Sequence, residues 1–224
     1  MDYNYITIGS QQFKVGVYSP YQANINSQII EYQKKVFDKF DIKLNQILTS
    51  ITNSKTHGTF LTEISTNEDV DYIVFFDIDA IPLKKDFLQI SLNRILNKRA
   101  ILGIEQFSNR HAKNSEIYAG PACFLISKKT YVEMGFPTYE TNDSGGYDCG
   151  QYLSVLAKKK NVEINFFKFK ECVIPRWRLD NKRRFGIGST YEDLVFHNFE
   201  SRDHKSGSLE SDIFINKCKE ILDN

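Results

Sequence analysis

Two aspartates, Asp77 and Asp79, stand two residues apart just after the apolar run Tyr72-Ile-Val-Phe-Phe76. An unbroken apolar run of this kind reads as a central strand covered on both faces. Charges left at the end of a buried strand are costly unless something pairs them. Hard oxygen ligands in this arrangement suit Mg2+ or Mn2+, above all when substrate phosphates complete the shell. A lone Asp-x-Asp is more often a solvated strand end or a capped turn. Here the preceding run, and Pro82 closing the turn, favour the metal reading.

The elements around the pair alternate between short apolar runs and helical periods. Phe13, Val15 and Val17 read as a strand ending near Tyr18, Ser19 and Pro20. Asn26 or Ser27 caps a helix with Ile29, Tyr32, Val36 and Phe40 on one face. Residues 42–48 predict a strand, 57–64 a short helix, 86–98 a helix and 100–104 a strand. Further on come a strand at 122–126, a short helix ending at Gly135, a helix at 148–160 and a strand at Val162, Ile164 and Phe166. The stretch from Pro175 to Thr190 reads as irregular and basic, and a last helix carries Phe214, Cys218, Ile221 and Leu222. Such alternation predicts an α/β fold: a mixed, mainly parallel sheet flanked by helices, with ligands at the carboxyl ends of its strands. His57-Gly58 opens one of the helices, so its backbone N–H groups could meet ribose or phosphate.

Composition narrows the classes of function. The chain has 224 residues, 41% hydrophobic and 25% charged, which fits one soluble domain. With 29 basic and 28 acidic residues the formal charge is +1, and no general affinity for nucleic acid or membrane surfaces is expected. The apolar runs are far shorter than the ~20 residues of a membrane helix. Met1 to Ser10 alternates polar and apolar residues, so no secretory signal is expected. Cys123, Cys149, Cys172 and Cys218 are widely spaced, without a C-x-x-C pair, and a reducing, cytoplasmic setting is the expectation.

The Asp77-x-Asp79 pair resembles the hallmark of the GT-A class of nucleotide-sugar glycosyltransferases, and the resemblance extends over about residues 13–200. The segment from Val15 to Phe40 is similar to the first strand, nucleotide-facing loop and first helix of that fold. Ile117 to Ile126 resembles its acceptor-side segment, Asp143 to Asp148 its acidic loop, and Val195 to Phe199 its C-terminal His segment. The order and spacing of these weak motifs carry the likeness. It implies a single GT-A-like catalytic domain over 1–224. Residues 1–105 would be the nucleotide-binding half, 106–200 the acceptor half with a donor-closing loop, and 201–224 a C-terminal helix.

The resemblance implies a metal-dependent transferase that takes a sugar from a nucleotide-diphosphate sugar, UDP by preference, to a hydroxyl of a glycan or other acceptor. Asp79 would bind Mn2+ or Mg2+, Asp77 the metal or the ribose, and His197 would be a third ligand; a merely hydrogen-bonded histidine fits its Phe196 and Phe199 flanks equally well. Asp148 would be the general base, with Asp143 as its neighbouring alternative, although an Asp at a helix start is also an ordinary N-cap. A retaining mechanism would remove the base role. Tyr18, Ser19, Pro20 and His57 would line the nucleotide. Arg176, Arg178, Lys182, Arg183 and Arg184 would lie on a mobile loop that closes over the donor. Lys182, Arg183 and Arg184 would clamp diphosphate oxygens, with Gly186 and Gly188 permitting movement, although charge runs are usually just solvated. Trp177 could stack on sugar or base, and Glu105 and Tyr118 to Gly120 could touch sugar or acceptor.

Two other readings remain open. Haloacid-dehalogenase-type phosphatases also place Asp-x-Asp after an apolar strand, with the first Asp, here Asp77, as nucleophile. In this chain Ala80-Ile81-Pro82 follows the pair, and about 76 residues precede it, neither of which suits that family. A non-catalytic nucleotide-sugar-binding module is the second alternative.

Overall fold

The computed structural model describes residues 1–50, 56–108, 116–141, 146–201 and 206–224. The chain begins with β1 (Asn4–Ile8), β2 (Gln11–Gln22), α1 (Ser27–Lys39), β3 (Asn45–Thr49) and α2 (His57–Asn67). It continues through β4 (Tyr72–Phe76), β5 (Ala80–Pro82), α3 (Phe87–Ile95), β6 (Ala100–Phe107), β7 (Ile117–Ser127) and α4 (Lys128–Glu133). Last come α5 (Gln151–Lys159), β8 (Glu163–Phe167), β9 (Phe169–Arg178), β10 (Arg184–Tyr191), β11 (Val195–His197) and α6 (Leu209–Asp223).

The apolar run before Asp77 is β4, and all of it is buried. Its side chains alternate between two cores, as a strand with period two must when helices cover both faces. Tyr72, Val74 and Phe76 pack with Ile29 and Phe37 of α1, Leu92 of α3 and Phe214 of α6. Ile73 and Phe75 pack with Leu61 of α2, Tyr131 of α4 and Leu153 of α5. Phe76 meets Phe37 edge-on with ring centroids 5.0 Å apart, and Phe75 meets Tyr139 likewise at 5.5 Å.

The larger sheet has seven strands in the order β1-β2-β4-β7-β6-β8, with β3 beside the second half of β2. β2 runs parallel to β3 and β4, and β6 to β8, while β7 is antiparallel to both β4 and β6. Five strands therefore share one direction and only β1 and β7 oppose it, the mixed, mainly parallel α/β arrangement expected. A second, antiparallel sheet follows the order β5-β11-β10-β9.

That second sheet corrects the reading of Pro175 to Thr190 as an irregular loop. The segment lies mostly in the hairpin of β9 and β10, in which Arg184 pairs with Arg178 and Thr190 with Glu171. Asp180 closes the turn, its Oδ1 accepting from the backbone N–H groups of Lys182 and Arg183, both at 2.8 Å. Gly186 is no hinge: a Cβ there would lie 2.1 Å from the carbonyl oxygen of Ile174, so the close approach of two strands requires it. Among the described residues, no helix is long and apolar enough to cross a membrane.

Candidate metal centre

β4 ends at Phe76 and delivers Asp77 to the carboxyl edge of the larger sheet, where the Asp77 N–H donates to the carbonyl of Ala122 at 2.9 Å. The chain then turns, with the Ala80 N–H on the Asp77 carbonyl at 2.9 Å, and enters β5. Gln33 locks this turn from the buried face of α1. Its Nε2 donates to the carbonyls of Asp77, at 2.7 Å, and Ala80, at 2.9 Å, while its Oε1 accepts from Gln46 Nε2 at 2.9 Å. Both carbonyls would otherwise lie in a region of high desolvation cost.

β5 pairs antiparallel with β11, and the register places His197 opposite Ala80. His197 Nε2 thereby lies 3.2 Å from Asp79 Oδ1 and 3.7 Å from Asp77 Oδ2. One ligand atom from each of Asp77, Asp79 and His197 fits within 4.8 Å of the other two. The backbone after β11 then wraps Asp79. The Asn198 N–H donates to the Asp79 carbonyl at 2.9 Å, and the Ser201 N–H to Asp79 Oδ2 at 3.2 Å. To make this wrap, Phe199 and Glu200 take left-handed backbone angles, φ 58° and 56°, which non-glycine residues rarely adopt. The Phe199 ring lies 3.7 Å from that of His197, and His197 Nδ1 is buried with no hydrogen-bond partner among the described residues.

The cluster opens on one side only: the side chains of His197 and Asp79 are 3% and 6% exposed, but that of Asp77 is 31% exposed. Burial pushes the Asp79 carboxyl up; the charge and hydrogen bond of His197, with the contacts from Ser201, more than reverse this and hold it below its ordinary value. Two carboxylates and an imidazole nitrogen form a donor set suited to a divalent cation such as Mn2+, so these residues fit the ion that the Asp-x-Asp motif implies.

His57, the first residue of α2, also reaches this edge, with Nε2 at 3.3 Å from Asp77 Oδ1. The other residues read as donor-binding are placed differently. Tyr18 is wholly buried, folds back over Gly16 and donates its hydroxyl to Glu68 Oε2 at 2.8 Å, which corrects its assignment to the nucleotide. Ser19 and Pro20 continue β2 toward the carboxyl edge; both are buried, and the Ser19 hydroxyl has no partner among the described residues.

Arg183, read as a diphosphate clamp, is held by two carboxylates. It donates from NH1 to Glu105 Oε2 at 2.8 Å and from Nε to Asp180 Oδ2 at 2.7 Å. Glu105, buried at the end of β6, also accepts from the Phe169 N–H at 3.1 Å and Lys168 Nζ at 3.3 Å. It is therefore a clasp holding the hairpin to the larger sheet, and not a group open to sugar. Arg184 is exposed and donates to the carbonyl of Arg176, and Lys182 is exposed at the turn. Trp177 packs against Phe185 and Phe199, with centroids 5.6 and 5.5 Å away.

Asp148 is not the N-cap of α5; that position is Gly150. Asp148 Oδ1 accepts from the Cys149 N–H at 3.1 Å, and its carboxylate lies near the hydroxyl of buried Tyr118. Burial, then the negative charge of Asp148, raises the Tyr118 hydroxyl well above its ordinary value, with smaller contributions from Cys149 and Asp77. Asp143 lies outside the described residues. Two open grooves of about 450 Å³ lie elsewhere, against β9, β10 and α6 and beside Lys39 and Lys84, and neither is lined by Asp77, Asp79 or His57.

Gln33, Asn198 and Ser201 are the supporting residues not singled out from sequence. Gln33 had a readable signal, being a glutamine on the apolar stripe of α1; the other two act through backbone N–H groups and leave no such mark.

The fold and site together define a mixed α/β domain with an Asp-Asp-His cluster at the carboxyl edge of its sheet. No protein-family model and no curated protein matches the chain. Among solved structures, it is similar to the mannosyltransferase PcManGT of Pyrobaculum calidifontis, solved with GDP-Man and Mn2+, at 12% identity and TM-score 0.49, over 68% of this chain and 54% of that one. It is similar to S. aureus TarS at 12% identity and TM-score 0.44, over 68% of this chain and 35% of that one. A putative glucose-1-phosphate thymidylyltransferase of Bacillus anthracis matches at 8% identity and TM-score 0.44, over 70% of this chain and 87% of that one. The chain thus spans about half the length of the mannosyltransferase and about a third of TarS.

Proposed function

We propose that this chain is a metal-dependent glycosyltransferase that moves a sugar from a nucleotide-diphosphate sugar, with UDP as the favoured carrier, to a hydroxyl of a glycan or other acceptor. The observation that carries the reading is the convergence of Asp77, Asp79 and His197, from two different sheets, within 4.8 Å. Asp79 and His197 would hold Mn2+ or Mg2+ from the closed side. Asp77, on the open side, would face the arriving donor. The bound ion supplies charge neutralisation for the departing diphosphate.

Asp148 would take the proton of the acceptor hydroxyl as its oxygen bonds to the anomeric carbon and the bond from that carbon to the diphosphate breaks. Tyr118, buried beside the same carboxylate, would help to hold it in place. The acceptor half would be about residues 106–200, against the donor half at 1–105. Lys182, Arg183 and Arg184, on the hairpin, would offer positive charge to the donor diphosphate.

Donor hydrolysis tests the proposal. The chain is incubated with a panel of UDP- and GDP-sugars plus Mn2+, and free nucleoside diphosphate is measured. Release that chelation or Asp79→Ala abolishes supports the transferase. Metal-independent binding without turnover would replace it with a binding module, and a phospho-aspartate trapped at Asp77 would replace it with a phosphatase.

A further inference from the structure

The Asp77 carboxylate lies between two imidazoles: its Oδ1 is 3.3 Å from His57 Nε2, and its Oδ2 is 3.7 Å from His197 Nε2. We infer that His57 is a positioning residue for the metal centre, holding one oxygen of Asp77 through its side chain so that the other oxygen faces the ion. The inference rests on the metal-dependent reading above and names a part of the site that reading does not contain.

Asp77 needs such a partner more than Asp79 does. Asp79 is enclosed, and its carboxylate is fixed by His197 and the Ser201 N–H. The Asp77 side chain is 31% exposed, so water competes for it and its rotamers are costly to freeze at the moment of binding. A carboxylate already turned toward the ion avoids that cost.

The start of α2 is built to hold His57 still. Thr56 caps the helix in a reciprocal box with Thr59. Thr59 Oγ1 also donates to Glu140 Oε1 at 2.6 Å, tying the helix start to the segment before α5. Gly58 lets the two backbones touch, since a Cβ there would lie 2.6 Å from Glu140 Cα. His57 stands outside the set of ligand atoms that fit mutually within 4.8 Å, consistent with a support for Asp77 rather than a fourth ligand. Partners of this kind change metal affinity by about 10–100-fold when removed.

The test is Mn2+ binding to the full chain without nucleotide, followed by electron paramagnetic resonance, with thermal melts as a folding control. The wild type binds, and Asp79→Ala does not. His57→Ala weakens Mn2+ about 10–100-fold with an unchanged melting temperature, and His57→Gln, which keeps a donor, recovers most of the loss. Nitrogen couplings to the bound Mn2+ are the same in wild type and His57→Ala. Wild-type affinity in His57→Ala would overturn the inference and leave the metal reading standing. Loss of a nitrogen coupling would overturn it in favour of direct ligation. Absence of Mn2+ binding in the wild type would overturn both.

Discussion

The backbone N–H of Asn198 donates to the carbonyl of Asp79 at 2.9 Å, one step beyond the residue whose imidazole faces the Asp79 carboxylate. Main chain and side chain of the C-terminal segment thus grip the same aspartate from two directions. The cluster is a product of the junction between two sheets, and each part of that junction can be tested separately.

Asp148→Asn keeps the volume and loses the base. Transfer to an acceptor is expected to fall by about 10²–10⁴-fold, while binding of the donor diphosphate changes little. Product formation and nucleotide binding, measured on the same preparation, separate the two effects. Near-normal turnover would remove Asp148 from the mechanism.

Gln33→Leu removes the two side-chain hydrogen bonds that brace the Asp77 turn; the Asp77 carbonyl keeps the Ala80 N–H, and the Ala80 carbonyl loses its side-chain donor. The expected cost is about 1–3 kcal/mol of folding stability, the range for one buried acceptor left unpaired. Urea unfolding measures it, and a loss below about 0.5 kcal/mol would show that the turn stands without Gln33.

Glu105 gives the fold an acid-sensitive clasp. Burial raises its carboxyl, but Arg183, the Phe169 N–H and Lys168 together hold it below its ordinary 4.5. A depressed carboxylate contributes stability above its unfolded value and loses it as pH falls through the folded one. Melting temperature should therefore drop below about pH 4.5 more steeply in the wild type than in Glu105→Gln. Parallel curves for the two proteins would contradict this.

Gly58→Ala places a methyl group 2.6 Å from both Glu140 Cα and the Tyr139 carbonyl oxygen. Neither neighbour is a flexible side-chain tip, so the start of α2 must shift, at a cost of about 1–3 kcal/mol. The shift carries His57 away from Asp77. Lower thermal stability together with weaker Mn2+ binding is the expected outcome.

β4 and α1 were readable in the sequence because each announces itself locally, one by five consecutive apolar residues and the other by apolar spacing behind an Asn cap. The second sheet was not. β5 and β11 have three residues each, and β9 is interrupted by Lys170, Glu171, Pro175, Arg176 and Arg178, so little local pattern separates them from loop. Asp77 and Asp79 were recognisable by type and place, whereas His197 reached the site only through its resemblance to a motif, because strand pairing across the chain leaves no local pattern. The engagements of Tyr18 and Arg183 were hidden for one shared reason. Each has its partner, Glu68 or Glu105, far away in sequence, and the residue type alone does not reveal that its polar group is already engaged.

The ladder between β5 and β11 is only three residue pairs long. So short a zipper is a natural point of local opening, and a cation bound by Asp79 on one side and His197 on the other would act as its rivet. Stripping that cation should quicken amide exchange at 195–198 while the protection of β4 stays as it was.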